Sequence, residues 1–550
     1  MSNYVVTVLD TTGIQPYIFN SNRLRENIGA SYLVEKVTGD WVKKILETEF
    51  NIPKEQQYQP INSSGFAAEI IYAGGGNTLL LFTSLDIAKD FIKKLSWRIL
   101  NYAPGINLVA AHKEFNWNEC LFTIVKDLME NEVEHLKRSK ISSSPLLGLG
   151  VTAACNSTQL PAVGISDSYI DKDENDSYLI STETKAKLIA GNKAIKELRN
   201  EFISLFKNKV DDFAYRMDHL GRSKHESSYY AIVHADGNNM GKRFKSFGLQ
   251  GIKDNPSDPN RGYIEAMRKM SKSVNCAGRK AIEEVISTLV KSIDNEGNIF
   301  TNDKDGNKII RFSLYEDENG KKYLPFRPLI YGGDDITFIC EGRLGLELAA
   351  IYLQELEKQD IEDTKPLLAC AGISIVKSHY PFARAYSLSE NLCKTAKKFV
   401  KDQNDREFSG IDWHIAASGL FGSISEIRER EYKVKEGTLN MRPILIQSED
   451  NQWRTWSNVT HVINEFNDNE KWKNKRNKVI GLREKLREGK EAVKQFITAY
   501  QIDELPHIHG GDELKLKSEG WTEEICGYFD AIEAMEFYFP LQKGDKNDCL

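Results

Sequence analysis

The chain has 550 residues, 41% apolar and 28% charged, with a formal net charge of −6. That length suits roughly three or four domains, and the acidic balance excludes a generally basic coat for nucleic acid, so any such contact has to come from a local patch. No apolar stretch approaches the ~18 residues of a membrane span, Met1-Ser2-Asn3-Tyr4-Val5-Val6 lacks a signal-peptide pattern, and the eight cysteines (120, 155, 276, 340, 370, 393, 526, 549) form no C-x-x-C pair. A cytoplasmic protein without a membrane contact, a zinc ribbon or a disulfide framework is expected.

Residues 1–125 open with a strand over 4–9 that ends at Asp10. A polar, helix-compatible stretch follows over 21–34. Two apolar runs, 68–73 and 78–82, then bracket Gly74-Gly75-Gly76-Asn77, and a helix carries Ile87, Phe91, Ile92, Leu95 and Ile99 at three- and four-residue spacing. A last strand spans 106–111. Strand, helix, hairpin, helix, strand is the order of a βαββαβ ferredoxin-like unit.

Residues 126–224 read as mostly helical, interrupted between Pro145 and Ser166. Phe202, Leu205, Phe206, Val210, Phe213 and Met217 are expected on one buried helical face. Asp218-His219 is read as a helix-end pair, since a catalytic metal site needs several further ligands.

Residues 225–420 repeat the first unit, and this duplication organises the chain. Tyr229-Tyr230-Ala231-Ile232-Val233-His234-Ala235-Asp236 parallels Tyr4-Val5-Val6-Thr7-Val8-Leu9-Asp10, and the hairpin at 329–340 parallels that at 70–82. A helix over 346–356 and a strand over 368–376 complete the copy. Between its first strand and its hairpin lies an insertion with a helix over 262–292, a polar loop over 294–308 and a hairpin at Asn319-Gly320. Asp303-Lys304-Asp305-Gly306 has the wrong spacing for a calcium loop and reads as a turn. Residues 421–550 are charged and mainly helical. Nine Lys/Arg against two Glu between Lys471 and Lys490 read mostly as a solvated face around Val479, Leu482, Leu486 and Val493, with a nucleic-acid or partner contact as the other reading.

The hairpin of the second copy reads Leu329-Ile330-Tyr331-Gly332-Gly333-Asp334-Asp335-Ile336-Thr337-Phe338-Ile339-Cys340. Glycines between two β-type runs mark a tight turn, and two adjacent carboxylates with no neighbouring Lys or Arg repel each other unless a divalent cation holds them. Gly and Asp are also ordinary turn residues, so the alignment of the copies decides. Asp10 matches Asp236, while Gly76 and Asn77 stand where Asp334 and Asp335 stand. The first copy keeps the glycine turn and lacks both hairpin carboxylates. In a ferredoxin-like sheet the first strand neighbours the hairpin, so Asp236, Asp334 and Asp335 can converge, as a two-metal phosphoryl-transfer site requires. Gly237, Asn238, Asn239 and Gly241 after Asp236, with Gly332 and Gly333 in the turn, leave room for a triphosphate against the backbone. A helix over 382–400 buries Ala385, Leu388, Leu392, Ala396 and Phe399 and carries Lys394, Lys397 and Lys398 at its side; Lys397 is assigned to the triphosphate as a point charge.

These residues carry a resemblance. Gly13-Ile14-Gln15-Pro16-Tyr17-Ile18-Phe19, Ile28-Gly29-Ala30-Ser31, Asp236-Gly237-Asn238-Asn239-Met240-Gly241, Arg327-Pro328-Leu329-Ile330-Tyr331-Gly332-Gly333-Asp334-Asp335 and Ala396-Lys397 are similar to motifs of the palm-domain large subunits of type III CRISPR effectors, the cyclic oligoadenylate synthases. These are relatives of the GGDEF diguanylate cyclases. The resemblance covers roughly 1–420 and implies an α+β chain: a degenerate first palm (1–125), a helical middle domain (126–224), a second palm with the active site (225–420) and a helical C-terminal domain (421–550). It implies synthesis of cyclic oligonucleotides from ATP or another nucleoside triphosphate with Mg2+ or Mn2+, and RNA and effector subunits as partners. The chain differs from many members in starting at the first palm, without a histidine-aspartate nuclease domain, and in having only Cys155 where a four-cysteine zinc module is common. Two other readings stand beside the enzyme: a non-catalytic palm scaffold that binds nucleotide or guide RNA, and a diguanylate-type cyclase, disfavoured by the absence of Glu-Phe after Gly-Gly-Asp. In the enzyme reading, the glycine turn of the first palm, Gly74, Gly75, Gly76 and Asn77, takes the acceptor nucleotide.

Overall fold

A computed structural model describes residues 3–139, 150–171, 177–220, 228–403, 407–416, 422–447, 452–472 and 475–542. Pro145, Lys473 and Cys549 lie outside them. The chain divides into two compact units, one of Met1–Glu201, Asn239–Cys276 and Ile361–Lys365, the other of Phe202–Asn238, Ala277–Asp360 and Pro366–Leu550. Among the described residues no helix is long and apolar enough to cross a membrane.

The first unit is built on a four-stranded antiparallel sheet. Its order is Ala68–Gly74, Asn77–Phe82, Asn3–Thr12, Asn107–Asn116. This is the ferredoxin-like arrangement, with the first strand inside and the hairpin beside it. Residues Tyr4 to Leu9 are buried without alternation because this central strand is covered on both faces. Tyr4, Val6 and Val8 pack with Leu79, Leu81, Ala111 and Phe115. The helix Leu85–Tyr102 starts where the Ser84 side chain accepts a hydrogen bond from the Ile87 N–H, and it buries Ala88, Phe91, Leu95 and Ile99. Two long helices, Leu24–Thr38 and Thr182–Phe202, cross at a pair of glycines. A Cβ on Gly29 would stand 1.7 Å from the Lys187 carbonyl oxygen, and one on Gly191 2.7 Å from that of Arg25. The Ile28-Gly29-Ala30-Ser31 motif is therefore a packing device.

The second unit repeats this sheet and extends it. Its order is Phe326–Gly332, Asp335–Glu341, Tyr229–Gly237, Ala369–Lys377, Gly410–Ala416, Ile444–Leu445. The first four strands pair antiparallel in the same order as in the first palm, and the fifth pairs parallel with the fourth. The helix Phe382–Lys401 supplies the crossover between those two strands, as a parallel pair demands. It lies very close to the sheet: a Cβ on Gly372 would be 2.0 Å from the Ser389 carbonyl oxygen and 2.3 Å from the Cys393 nitrogen. In the C-terminal part, helices Arg476–Glu488 and Lys490–Ala499 bury Val479, Leu482, Leu486 and Val493, which leaves the basic run outside.

Three local expectations need correction. Phe202 to Met217 do not form one helical face: the helix ends at Phe202, a short 3-10 turn covers Ile203–Phe206, and Asp212–Phe213 is a strand. Phe202, Phe206, Val210 and Phe213 are nevertheless buried, so apolar spacing reported the core and not the helix. The 294–308 stretch holds a strand, Asn298–Asn302, whose turn through Asp303 to Gly306 leads into Lys308–Ser313. Asn319-Gly320 sits in a turn closed by a single bridge, Glu316 to Lys322, rather than in a full hairpin. Asp218-His219 lies in the 3-10 turn Met217–Leu220, where the His219 ring stacks 3.8 Å from that of Tyr323. The seven described cysteines are free.

Candidate active site

The strands Tyr229–Gly237 and Asp335–Glu341 bring the candidate carboxylates together. Asp335 lies directly opposite Asp236 in their antiparallel register. Gly332 faces Asp335 across the hairpin, so Gly333 and Asp334 form its tip. Gly332 and Gly333 take φ values of 129° and 79°, the region where glycine is favoured. The Gly237 N–H donates to the Asp334 carbonyl oxygen at 3.0 Å, which ties the end of the first strand to the tip.

The electrostatics follow from that convergence. Burial, then the charges of Asp236 and Asp334, push the Asp335 carboxyl up to about 8. Its Oδ1 is buried and has no hydrogen-bond partner, although 46% of the side chain is exposed; the open side admits solvent, which screens part of the repulsion. Asp334 is also raised, by burial and then by Asp236. The His234 imidazole lies with Nδ1 3.4 Å from Asp335 Oδ1 and 3.1 Å from Thr337 Oγ1. Burial keeps His234 below its ordinary value, so it offers Asp335 no charge at neutral pH. Tyr352, fully buried on the helix Gly345–Glu357, has its hydroxyl raised by burial and by Asp335 and Asp334. Three converging carboxylates, two of them raised and one with an orphaned buried oxygen, are a donor set that fits a hard divalent cation.

Lys397 is distinguished from its neighbours. Lys394 and Lys398 are exposed, and Lys394 pairs with Glu390 at 2.7 Å. Lys397 is half-buried and donates to Asp236 Oδ2 at 2.6 Å and to the Gly237 carbonyl oxygen at 2.9 Å. The close seating of its helix at Gly372 lets the side chain reach the end of the first strand.

The remaining candidates are placed less uniformly. Asn238 spends its side-chain N–H on the Phe408 carbonyl and its backbone N–H on that of Leu368, both at 2.8 Å, which makes it a loop brace. In the other unit, Asn239 is left-handed at φ 56° and caps the helix Met240–Asp254, and a Cβ on Gly241 would meet nothing within 4 Å. In the first palm, Asp10 faces Asn77 just as Asp236 faces Asp335. Asp10 pairs with Lys137 at 2.7 Å, from a different helix than the one that serves Asp236. Gly74 and Gly75, at φ 140° and 64°, have open space where a Cβ would point, whereas Gly76 backs onto Ile14, and its carbonyl accepts from the Thr11 hydroxyl at 2.8 Å.

One residue escaped the sequence reading. Gly278, on the helix Pro259–Lys291, would place a Cβ 2.6 Å from the Gly333 carbonyl oxygen and 3.9 Å from the Tyr352 hydroxyl. It backs the Gly-Gly-Asp-Asp tip from behind. A glycine inside a helical pattern was the available signal.

Residues 229–406 match the family described as Cas10/Cmr2, second palm domain. No curated protein matches the chain. Among solved structures, the fold is similar to that of a Csm1-Csm4 cassette in complex with pppApApA, at a TM-score of 0.54 and 11% identity over 98% of this chain and 69% of that one. It is similar to a Csm1-Csm4 cassette in complex with AMPPNP (TM-score 0.52, 12% identity, 98% and 70% covered) and to Csm1 in T. onnurineus (0.51, 11%, 98% and 70%). Residues 229–406 thus match a Cas10/Cmr2-type second palm, and the chain shares its fold with Csm1.

Proposed function

We propose that the chain is a nucleotidyltransferase that joins ATP into cyclic oligonucleotides, most simply cyclic oligoadenylate, as a defence signal. The observation that carries this is the convergence of Asp236, Asp334 and Asp335 with an undonated buried oxygen on Asp335. A purely structural turn gains nothing from raised, mutually repelling carboxylates. Mg2+ or Mn2+ held by these three groups would supply charge stabilisation for attack of a 3′-hydroxyl on an α-phosphate. The Lys397 ammonium pairs with Asp236 at the strand end and meets the triphosphate there. Gly332, Gly333 and Gly237 present backbone to the nucleotide, with Asn238 fixing the loop. In the first palm, Gly74 and Gly75 receive the acceptor nucleotide, while Gly76 and Asn77 shape the turn beneath it. That similar structures hold AMPPNP and pppApApA supports ATP as substrate and an adenylate chain as product. Their Csm4 partner supports a corresponding effector subunit as a partner of this chain.

Incubating the purified protein with each labelled nucleoside triphosphate and manganese tests the reading. Cyclic product from ATP, lost in Asp334→Ala, is expected; no product from any nucleotide, with or without partner subunits, overturns it. A second reading, a nucleotide-binding scaffold without turnover, is favoured by one observation: Lys397 already neutralises Asp236. It predicts nucleotide binding that is insensitive to loss of Asp334.

A further inference from the structure

A second cluster of ligand-type side chains lies in the C-terminal part of the same unit as the second palm. His507, His509 and Glu513 each present a ligand atom, and these atoms lie within 4.8 Å of one another. His507 Nε2 is 2.8 Å from Glu513 Oε2, and the rings of His507 and His509 are 4.2 Å apart. The chain has only 10 histidines, and a third, His461, stands with its ring 6.1 Å from that of His509.

The backbone around the cluster is held in place. The His509 N–H donates to Asn458 Oδ1 at 3.0 Å, and the Asn458 side-chain N–H donates to the His509 carbonyl at 2.8 Å. Asn458 and His461 both belong to the helix Trp456–Asp468. Gly510 and Gly511, at φ 82° and 66°, turn the chain back so that Glu513 returns to His507. Glu513 Oε1 accepts from the Gly510 N–H at 3.1 Å, which orients the carboxylate. Asp512 is engaged with Lys515 at 2.8 Å and Glu465 with Lys304 at 3.3 Å, so neither competes for the cluster.

We propose that His507, His509 and Glu513 bind a transition-metal ion of the zinc class, with His461 beside the remaining coordination position. Two imidazoles and one carboxylate prefer such an ion to magnesium or calcium, which favour all-oxygen shells. The ion draws the two ends of the 507–513 turn together beside the helix Trp456–Asp468. On binding, the proton between His507 Nε2 and Glu513 leaves that nitrogen, either to solvent or by a change of tautomer to Nδ1, and the freed lone pair binds the metal. The site shares no residue with the palm carboxylates.

The test uses the full chain without a polyhistidine tag, stripped with chelator and dialysed against zinc in excess magnesium. Metal analysis should return about one zinc ion per chain, and zinc should raise the Tm. His507→Ala with His509→Ala should lose the ion and the Tm rise, and Asp334→Ala should keep both. Glu513→Gln, which retains the hydrogen bond to Gly510, should weaken zinc by about 10-fold or more. Cobalt in place of zinc should give the visible spectrum of a tetrahedral nitrogen and oxygen site. Zinc content unchanged by the histidine substitutions, or no zinc retained by the unaltered chain, overturns the proposal.

Discussion

Asp236 and Asp335 face each other across two antiparallel strands, and in the first palm Asp10 faces Asn77 in the same register. One carboxylate has become an amide at the equivalent place, and the hairpin tip has changed from Gly-Asp to Gly-Gly. Charge density at the sheet end therefore differs between two copies of one fold. The first palm balances a single aspartate with Lys137, while the second has three carboxylates for one lysine.

Asp334→Ala and Asp335→Ala are each expected to reduce product formation by about 100-fold or more, the scale of removing one transition-state charge contact. Thermal stability should stay level or rise, because like-charge repulsion is relieved. Activity assays paired with melting curves check this; full activity in the double variant would end the enzyme reading.

The Asp335 carboxyl, raised to about 8, sets a pH dependence. A carboxyl whose folded value lies above its unfolded value costs stability on ionising. That cost appears as pH climbs past the ordinary 3.8 and is complete above about 8. Asp335→Asn should therefore raise Tm more at pH 9 than at pH 5, compared with the unaltered chain. Magnesium or manganese has to displace the proton, so their affinity should climb with pH up to about 8 and then flatten. Calorimetric titrations at several pH values read both slopes.

Lys397→Ala separates two roles of one charge. Removing it should weaken triphosphate binding and slow turnover by about 10-fold or more. It should also free Asp236, so manganese binding without nucleotide should tighten. A lysine that is merely solvated would move neither quantity.

Gly278→Ala is expected to abolish turnover at a stability cost of about 1–3 kcal/mol, since its Cβ would press on the Gly333 carbonyl. Ala277→Gly at the neighbouring position removes only a methyl group, without that push, and is the control for helix destabilisation alone. Equal activity in both would release Gly278 from any part in holding the tip.

Gly75→Leu tests the first palm. Its φ of 64° makes any side chain costly by about 1–2 kcal/mol, while the space ahead of it is open. Product formation should stop while triphosphate binding at the second palm survives. Retained synthesis would remove the acceptor role.

The duplication and the two hairpins were legible in the sequence, as were Asp236, Asp334 and Asp335 as candidate carboxylates and Lys397 as the candidate among three lysines. These rest on short-range pattern: alternating or continuous apolar runs, glycines where φ must be positive, and a helix whose side carries the three lysines. That Lys397 reaches Asp236 comes from the fold alone, because the two stand 161 residues apart in sequence and meet only when the helix Phe382–Lys401 lies on the sheet. Gly278 behind the hairpin tip and the pairing of Asp10 with Lys137 are likewise contacts between distant segments, to which local periodicity is blind. The same reason explains the error at 202–217: buried spacing there reports burial, which a turn and a strand satisfy as well as a helix. It also explains Asn238, whose place in a phosphate-type motif suggested a ligand contact, whereas the fold gave its donor a carbonyl on Phe408.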